Sequence, residues 1–254
     1  MVPLPFALPS LAGKVYLVTG GNTGVGFHTV EELAKHGARV YMGARSPSKA
    51  EAAIDRICAD TPTADSVVAA AKQFKAKESK LHGLVNNAGI MATPFALSGD
   101  GFEAQWQTNY LSHWVLTWHL LDILMNTLQE EGFAPGSVRT VDVTSDGHNF
   151  APKVGIDFKD INQDKGGLWS RYGCFPLCSA TVLTALGAYS HAREGAYNSV
   201  FAVASPDFKV ADSGEYVVPG QRRKQPSKVA RDMELAGRLW KWTEEEMRTR
   251  KLLD

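Results

Sequence analysis

The apolar run Val15-Tyr16-Leu17-Val18 leads into Thr19-Gly20-Gly21-Asn22-Thr23-Gly24-Val25-Gly26, and Phe27, Val30, Leu33 and Ala34 then recur at helical spacing. A short continuous apolar run reads as a buried strand, and recurrence every three to four residues reads as an amphipathic helix. The pattern therefore predicts a strand from Lys14 to Thr19, a glycine turn, and a helix with Gly37 at its C-terminal cap. Ala38 to Ala44 reads as a second strand, which completes a βαβ unit. Pro47 to Ala59 predicts a helix with Pro47 in its first turn. After the break Asp60-Thr61-Pro62-Thr63, Asp65 to Lys77 predicts another, with Val67, Val68, Ala71 and Phe74 on one side. Two helices in succession leave no strand where an alternating sheet expects its third.

Farther along, Leu81 to Asn87 reads as a strand and Thr108 to Leu128 as a long apolar helix. Glu130 to Gly136 reads as a loop, and Ser137 to Thr144 as a buried strand carrying Val138, Val141 and Val143. Asp146 to Tyr172 is polar and contains glycine. Periodicity blurs until Tyr216-Val217-Val218, and Ala230 to Arg250 closes as a helix with Leu235, Leu239 and Trp242 at near-helical spacing. With no repeat, low-complexity tract or linker, residues 1–254 read as one domain.

Composition narrows the function classes. Hydrophobic residues make up 44% of 254, enough for a full core, and 27 basic residues balance 27 acidic ones. A neutral chain has no overall field favouring nucleic acid or a membrane surface, and Arg222-Arg223-Lys224 reads as a solvated loop. Cys58, Cys174 and Cys178 show no zinc spacing and cannot all pair, which fits a reducing, cytoplasmic location. Three prolines and no basic region make the first nine residues a poor signal peptide. The stretch Leu111 to Leu128 contains His113, His119, Asp122 and Asn126, so it reads as core or subunit contact rather than a membrane span. The two histidines are six apart and do not share a face well, so they read as core or surface residues, and no metal site is expected.

The glycine turn carries the candidate chemistry. Gly20 permits a sharp exit from the strand, and Gly24 and Gly26 let a pyrophosphate approach the backbone. The helix that follows aims free N–H groups and its positive dipole end at the same place. Thr19, Gly20, Asn22, Thr23, Gly24, Val25 and Gly26 are thus candidate dinucleotide ligands. The second strand runs into Tyr41-Met42-Gly43-Ala44-Arg45, with Arg45 where an acid would bind the adenosine ribose in an NAD site. A guanidinium there suits a 2′-phosphate, so NADP is favoured over NAD.

Further motifs follow in order: Asn86-Asn87-Ala88-Gly89, Thr108-Asn109-Tyr110-Leu111, Val143-Thr144-Ser145-Asp146-Gly147-His148, and Arg171-Tyr172-Gly173. With Leu239-Trp240-Lys241-Trp242-Thr243-Glu244-Glu245 near the end, the chain resembles the short-chain dehydrogenase/reductase superfamily, in its retinol-dehydrogenase-like fungal branch. The resemblance implies a Rossmann-type α/β fold, a doubly wound parallel sheet in three α/β/α layers. It also implies hydride transfer between a nicotinamide and a carbonyl or secondary alcohol of a hydrophobic, lipid-like or secondary-metabolite substrate. By position, Tyr172 would move the proton, Ser145 would hold the substrate oxygen, and Asn109 would order a water relay. Asn86, Asn87, Ala88 and Gly89 would line the cofactor cleft. A homo-oligomer is also expected, through the long helix.

Two departures stand against the pattern. The family has lysine four residues after the tyrosine, and here Pro176 occupies that position. Proline removes the cation and breaks the helix that should carry both residues. The strand expected near Pro62, and the strand and Pro-Gly turn expected after Tyr172, are not found. The chain reads as a family member shortened in two places, by divergence or by mis-splicing. The alternative to an NADP-dependent oxidoreductase is therefore an inactive relative serving as a nucleotide-binding or interaction module. A chain too curtailed to fold stably is a third reading.

Overall fold

Four strands form a parallel sheet in a computed structural model that describes residues 4–43, 63–167, 171 and 192–253. β1 (Val15–Thr19) lies between β2 (Arg39–Gly43) and β3 (Gly83–Asn86), and β4 (Arg139–Asp142) flanks β3, giving the order β2-β1-β3-β4. The register sets Val18 opposite Met42 on one side and Val85 on the other. α1 (Gly24–Lys35) ends in a paired cap: the Gly37 amide donates to Ala34 and the Ala38 amide to Leu33, with Gly37 at φ +90°. That is the glycine-terminated helix end the sequence predicts. α2 (Ala64–Lys77) starts one residue earlier than expected, because the Thr63 hydroxyl accepts the Ser66 amide and sets the N-cap.

Strand alternation divides the core into two layers. Val15, Leu17 and Leu84 pack with Val67, Ala71 and Phe74 of α2 and with Val115, Leu116 and Leu120 of α4 (Ser112–Glu130). Tyr16, Val18 and Val85 face the other way, onto Leu33 of α1 and Val200 and Val203 of α5 (Ala192–Ala204). This is the doubly wound three-layer arrangement. Val18, Leu84 and Val85 are fully buried; each such burial is worth about 1.5–3 kcal/mol. α6 (Met233–Thr249) closes over the α4 side: Trp242 meets Trp106 and Phe102 edge-on, and Tyr110 and Thr243 share a 2.8 Å hydrogen bond.

Two expectations need correction. The long helix does not begin at Thr108. A short α3 (Ala104–Trp106) precedes it, capped by the Glu103 carboxylate, and a π-helical turn (Gln107–Leu111) joins α3 to α4. The strand read as Ser137–Thr144 is only four residues long. It is also not buried, since Thr140 and Asp142 are exposed and Arg139 and Val141 half-buried; among the described residues nothing pairs with its outer edge. Outside the main sheet, β5 (Val217–Val218) pairs antiparallel with β6 (Arg222–Arg223). No strand flanks β2 on its outer side among the described residues, and the gap read near Pro62 lies outside them. The predicted helix Pro47–Ala59 lies outside the described residues.

α1 and α5 are also joined by charge. Glu31 meets Lys35 at 2.8 Å, His28 at 2.9 Å and Arg193 of α5 at 3.0 Å. The Lys35 hydrogen bond, then that of His28, lowers the Glu31 carboxyl from 4.5 to about 2. A carboxylate favoured by the fold contributes its full stability above its unfolded value and loses it as pH falls through the folded one. The loss therefore falls between pH 4.5 and about 2. Urea unfolding of Glu31→Gln should show a shallower decline across that window than the parent chain; parallel declines would exclude the role.

Candidate functional site

The C-terminal ends of β1, β3 and β4 bring the sequence-predicted residues to one end of the sheet, where open α/β sheets bind their ligands. Thr19 closes β1 and is buried. Its hydroxyl oxygen accepts the backbone amides of Asn87 at 2.8 Å and Ala88 at 2.9 Å. The Asn87 side chain returns the contact, donating to the Thr19 carbonyl at 2.8 Å and the Gly20 carbonyl at 3.3 Å. The glycine turn and the Asn86–Gly89 segment are thus stitched together across β1 and β3.

Two glycines show why this seam excludes side chains. A Cβ on Gly20, at φ +62°, would come within 2.8 Å of the Ala88 Cα. A Cβ on Gly26 would run into the Gly20 carbonyl and the Asn87 amide nitrogen, so α1 packs against the turn with no room to spare. Gly24, at φ +55°, differs, because a Cβ there would meet nothing within 4 Å. Thr23 and Gly24 are exposed and Asn22 and Val25 half-buried. The Thr23 side chain makes no cap bond and no acid occupies the first turn of α1, leaving the positive helix end without a competing anion. The turn fits a dinucleotide pyrophosphate on these grounds.

Asn86 sits lower in β3, where its amide donates to Asp142 at 2.8 Å and Thr117 at 3.1 Å. It ties β3 to β4 and α4 rather than facing the cleft. Gly89 is half-buried on the loop leaving β3. Asn109 lies in the π-helical turn, a feature frequent at functional sites. Its side chain clamps the Ile90 backbone in both directions, each bond 2.9 Å. Ser145 is buried beyond β4, caps a 3-10 turn (Asp146–Phe150), and accepts the Gly147 amide at 3.0 Å. Ser145 and Val25 both line a cleft of about 690 Å³ that runs beside β4 and α5. Burial by itself would raise the neighbouring Asp146 carboxyl, but hydrogen bonds from Tyr216 and Lys224 overcome it and hold it below its usual range. Tyr172 and Arg45 lie outside the described residues, as do Pro176, Cys58, Cys174 and Cys178.

Sequence reasoning missed several supporting residues. Glu103 is buried, and its carboxylate accepts the Gln105 and Trp106 amides. Gln105 in turn receives the Ala92 amide at 2.8 Å, fixing the loop after Ile90. Arg171, next to Tyr172 in the chain, is buried with its guanidinium over Phe95, bonded to the Gly166 carbonyl and 3.9 Å from Glu103. Their visible signal was polar residues crowded before an apolar helix, which reads equally well as a solvated loop. His113 is buried between Thr19, at 3.0 Å, and the Asn109 carbonyl, at 3.2 Å. Burial lowers its pKa, against the charge of Asp142 and the Asn109 bond. His119 contacts the Leu252 carbonyl at 2.7 Å. No helix of the described residues is long and apolar enough to cross a membrane.

Comparison with known proteins agrees with this architecture. The family model for short chain dehydrogenases matches residues 14–142. Short-chain dehydrogenase/reductase drtF of Aspergillus calidoustus is 67% identical over 310 residues, covering 99% of each chain. That alignment is longer than the 254 residues here, so drtF carries segments with no counterpart in this chain. Retinol dehydrogenase 12 of Bos taurus is 40% identical over 167 residues, 61% of this chain and 49% of that protein. The crystal structure of an uncharacterized protein from Mycobacterium paratuberculosis superposes with a TM-score of 0.66 at 28% identity, covering 94% of each chain. With its parallel sheet and flanking helices, the chain belongs to the short-chain dehydrogenase/reductase family of oxidoreductases.

Proposed function

We propose that this chain binds NADP across the glycine turn and transfers hydride between its nicotinamide and a carbonyl or secondary alcohol of a hydrophobic substrate. One observation carries the reading: the Thr19 hydroxyl holds the Asn87 and Ala88 amides, making the turn and the Asn86–Gly89 segment one wall with room only at Gly24. Thr19, Gly20, Asn22, Thr23, Gly24, Val25 and Gly26 would hold the pyrophosphate side, and Asn87, Ala88 and Gly89 the nicotinamide side. Asn86 would support that wall through Asp142 and Thr117. Arg45 supports the choice of NADP by the chemistry of a guanidinium and a phosphate. The cofactor, when bound, supplies or accepts the hydride. Ser145 would hold the substrate oxygen, Asn109 would keep the loop after β3 in place through Ile90, and Tyr172 would move the proton. The likeness to retinol dehydrogenase 12 supports a hydrophobic substrate. A single domain in the cytoplasm is part of the same reading.

A second reading has its own observation. Pro176 stands four residues after Tyr172. A tyrosine without a nearby cation keeps a pKa of about 10 and loses driving force for proton transfer at neutral pH. This version of the protein binds the cofactor and turns nothing over.

Thermal melts with NADPH and NADH, paired with turnover over a panel of carbonyls, separate the readings. NADPH at about 100 times its Kd should stabilise the chain by about 2.7 kcal/mol, with a smaller shift for NADH at equal concentration. No shift with either would sink cofactor binding. Turnover that falls with Tyr172→Phe establishes the enzyme; binding without turnover across the panel establishes the module. In Gly26→Ala the added methyl meets the Gly20 carbonyl and Asn87, so the NADPH shift should vanish and the melting temperature should drop. An unchanged shift in that variant would mean the dinucleotide binds elsewhere.

A further inference from the structure

His113 is the one buried histidine touching both the glycine turn and the π-helical turn among the described residues. The hydrogen-bond inventory of Thr19 settles how it does so. A hydroxyl has two acceptor sites and one proton. Both acceptor sites of Thr19 are used, by the amides of Asn87 at 2.8 Å and Ala88 at 2.9 Å. Its proton must therefore leave toward an acceptor. The His113 Nε2 stands at 3.0 Å and the Val85 carbonyl at 3.4 Å, and the shorter contact falls within the normal range for such a bond. An Nε2 that accepts has no proton, so the imidazole proton lies on Nδ1, which faces the Asn109 carbonyl at 3.2 Å. Each atom then has one role: Asn87 and Ala88 donate to Thr19, Thr19 to His113, and His113 to Asn109. An imidazolium, or the other tautomer, would aim an N–H at an oxygen with no lone pair left.

We propose that His113 is a positioning residue for the dinucleotide cleft: as the neutral Nδ1–H imidazole it takes the Thr19 proton, gives its own to the Asn109 carbonyl, and so holds the glycine turn, the Asn86–Gly89 segment and the π-helical turn as one unit. The inference rests on the NADP-binding reading for its consequence, though not for its geometry. His113 reaches the cleft wall only through Thr19; it acts by committing the Thr19 hydroxyl to the double-acceptor arrangement. Without it the remaining acceptor is the Val85 carbonyl at 3.4 Å, and turning the proton there rotates the lone pairs that receive the two amides.

Two measurements on the full chain test this. In a ¹⁵N spectrum of histidine-labelled protein at neutral pH, His113 should show a pyridine-type Nε2 and a pyrrole-type Nδ1, assigned by their loss in His113→Gln. A protonated Nε2 would overturn the proposal. Titration with NADPH, followed by cofactor fluorescence, should be about five- to tenfold weaker for His113→Phe, the loss expected of a buried hydrogen bond. His113→Gln keeps an acceptor that can reach Thr19 and should recover most of the affinity. Parental affinity in the Phe variant, or an equally weak Gln variant, would overturn it. If the Phe variant does not melt cooperatively, the nitrogen spectrum and the Gln variant decide. Failure of NADPH to bind the parent chain would instead refute the functional reading, with the spectrum still reporting on the hydrogen-bond chain.

Discussion

The buried hydroxyl of Thr19 is the constraint on which the ligand end of the sheet depends. A parallel sheet aligns strand ends without deciding how the loops beyond them meet. Here one oxygen at the end of β1 takes two amides from the chain leaving β3, and the Asn87 side chain answers by holding the Thr19 and Gly20 carbonyls. Four backbone groups that would otherwise need water are satisfied within the seam. The tight fit at Gly20 and Gly26 follows from it, since two chain segments drawn this close leave no space for a Cβ.

The polar groups around that seam form a frame rather than a scatter. Asn86 reaches sideways to Asp142 of β4 and Thr117 of α4. Asn109 grips Ile90, and Gln105 grips Ala92, so one residue of the π-helical turn and one of α3 hold the loop that leaves β3. The π-helical turn makes this grip reachable. A wider turn at Gln107–Leu111 shifts the rotation between Gln105 and the regular helix that follows, and Asn109 falls within the widened section. Satisfied buried networks of this kind are rigid, and a binding wall needs rigidity more than it needs additional stability.

What was legible in the sequence was local. The strand, glycine turn and helix at Val15–Lys35 are each determined by near neighbours, so Gly37 marked its helix end correctly. The helix ending at Lys77 was readable for the same reason, through the spacing of Val67, Ala71 and Phe74. Long-range pairings were less accessible. Asn109 was picked out by the motif around it, yet nothing in a linear pattern says its side chain holds Ile90, nineteen residues earlier. The π turn was invisible because apolar periodicity at Thr108–Leu128 fits an ordinary helix. His113 reads from the sequence only as a core or surface residue, and its pairing with the Asn109 carbonyl, four residues back along one helical face, has no linear signal.

β4 shows how the fold treats an edge. Val138, Val141 and Val143 alternate as in a buried strand. Instead Thr140 and Asp142 stand exposed, and the strand has no outer partner among the described residues. Exposed edges invite pairing with other chains unless they are short, charged or covered. This one is four residues long and begins with Arg139, whose guanidinium binds the carbonyls of Gly136, Ala202 and Ser205 and lies over Phe208. One side chain thus ties the strand's start to the end of α5. Burial lowers the Arg139 pKa, against the opposing charges of Tyr16 and Asp212. The cation is kept because three carbonyls solvate it in place of water.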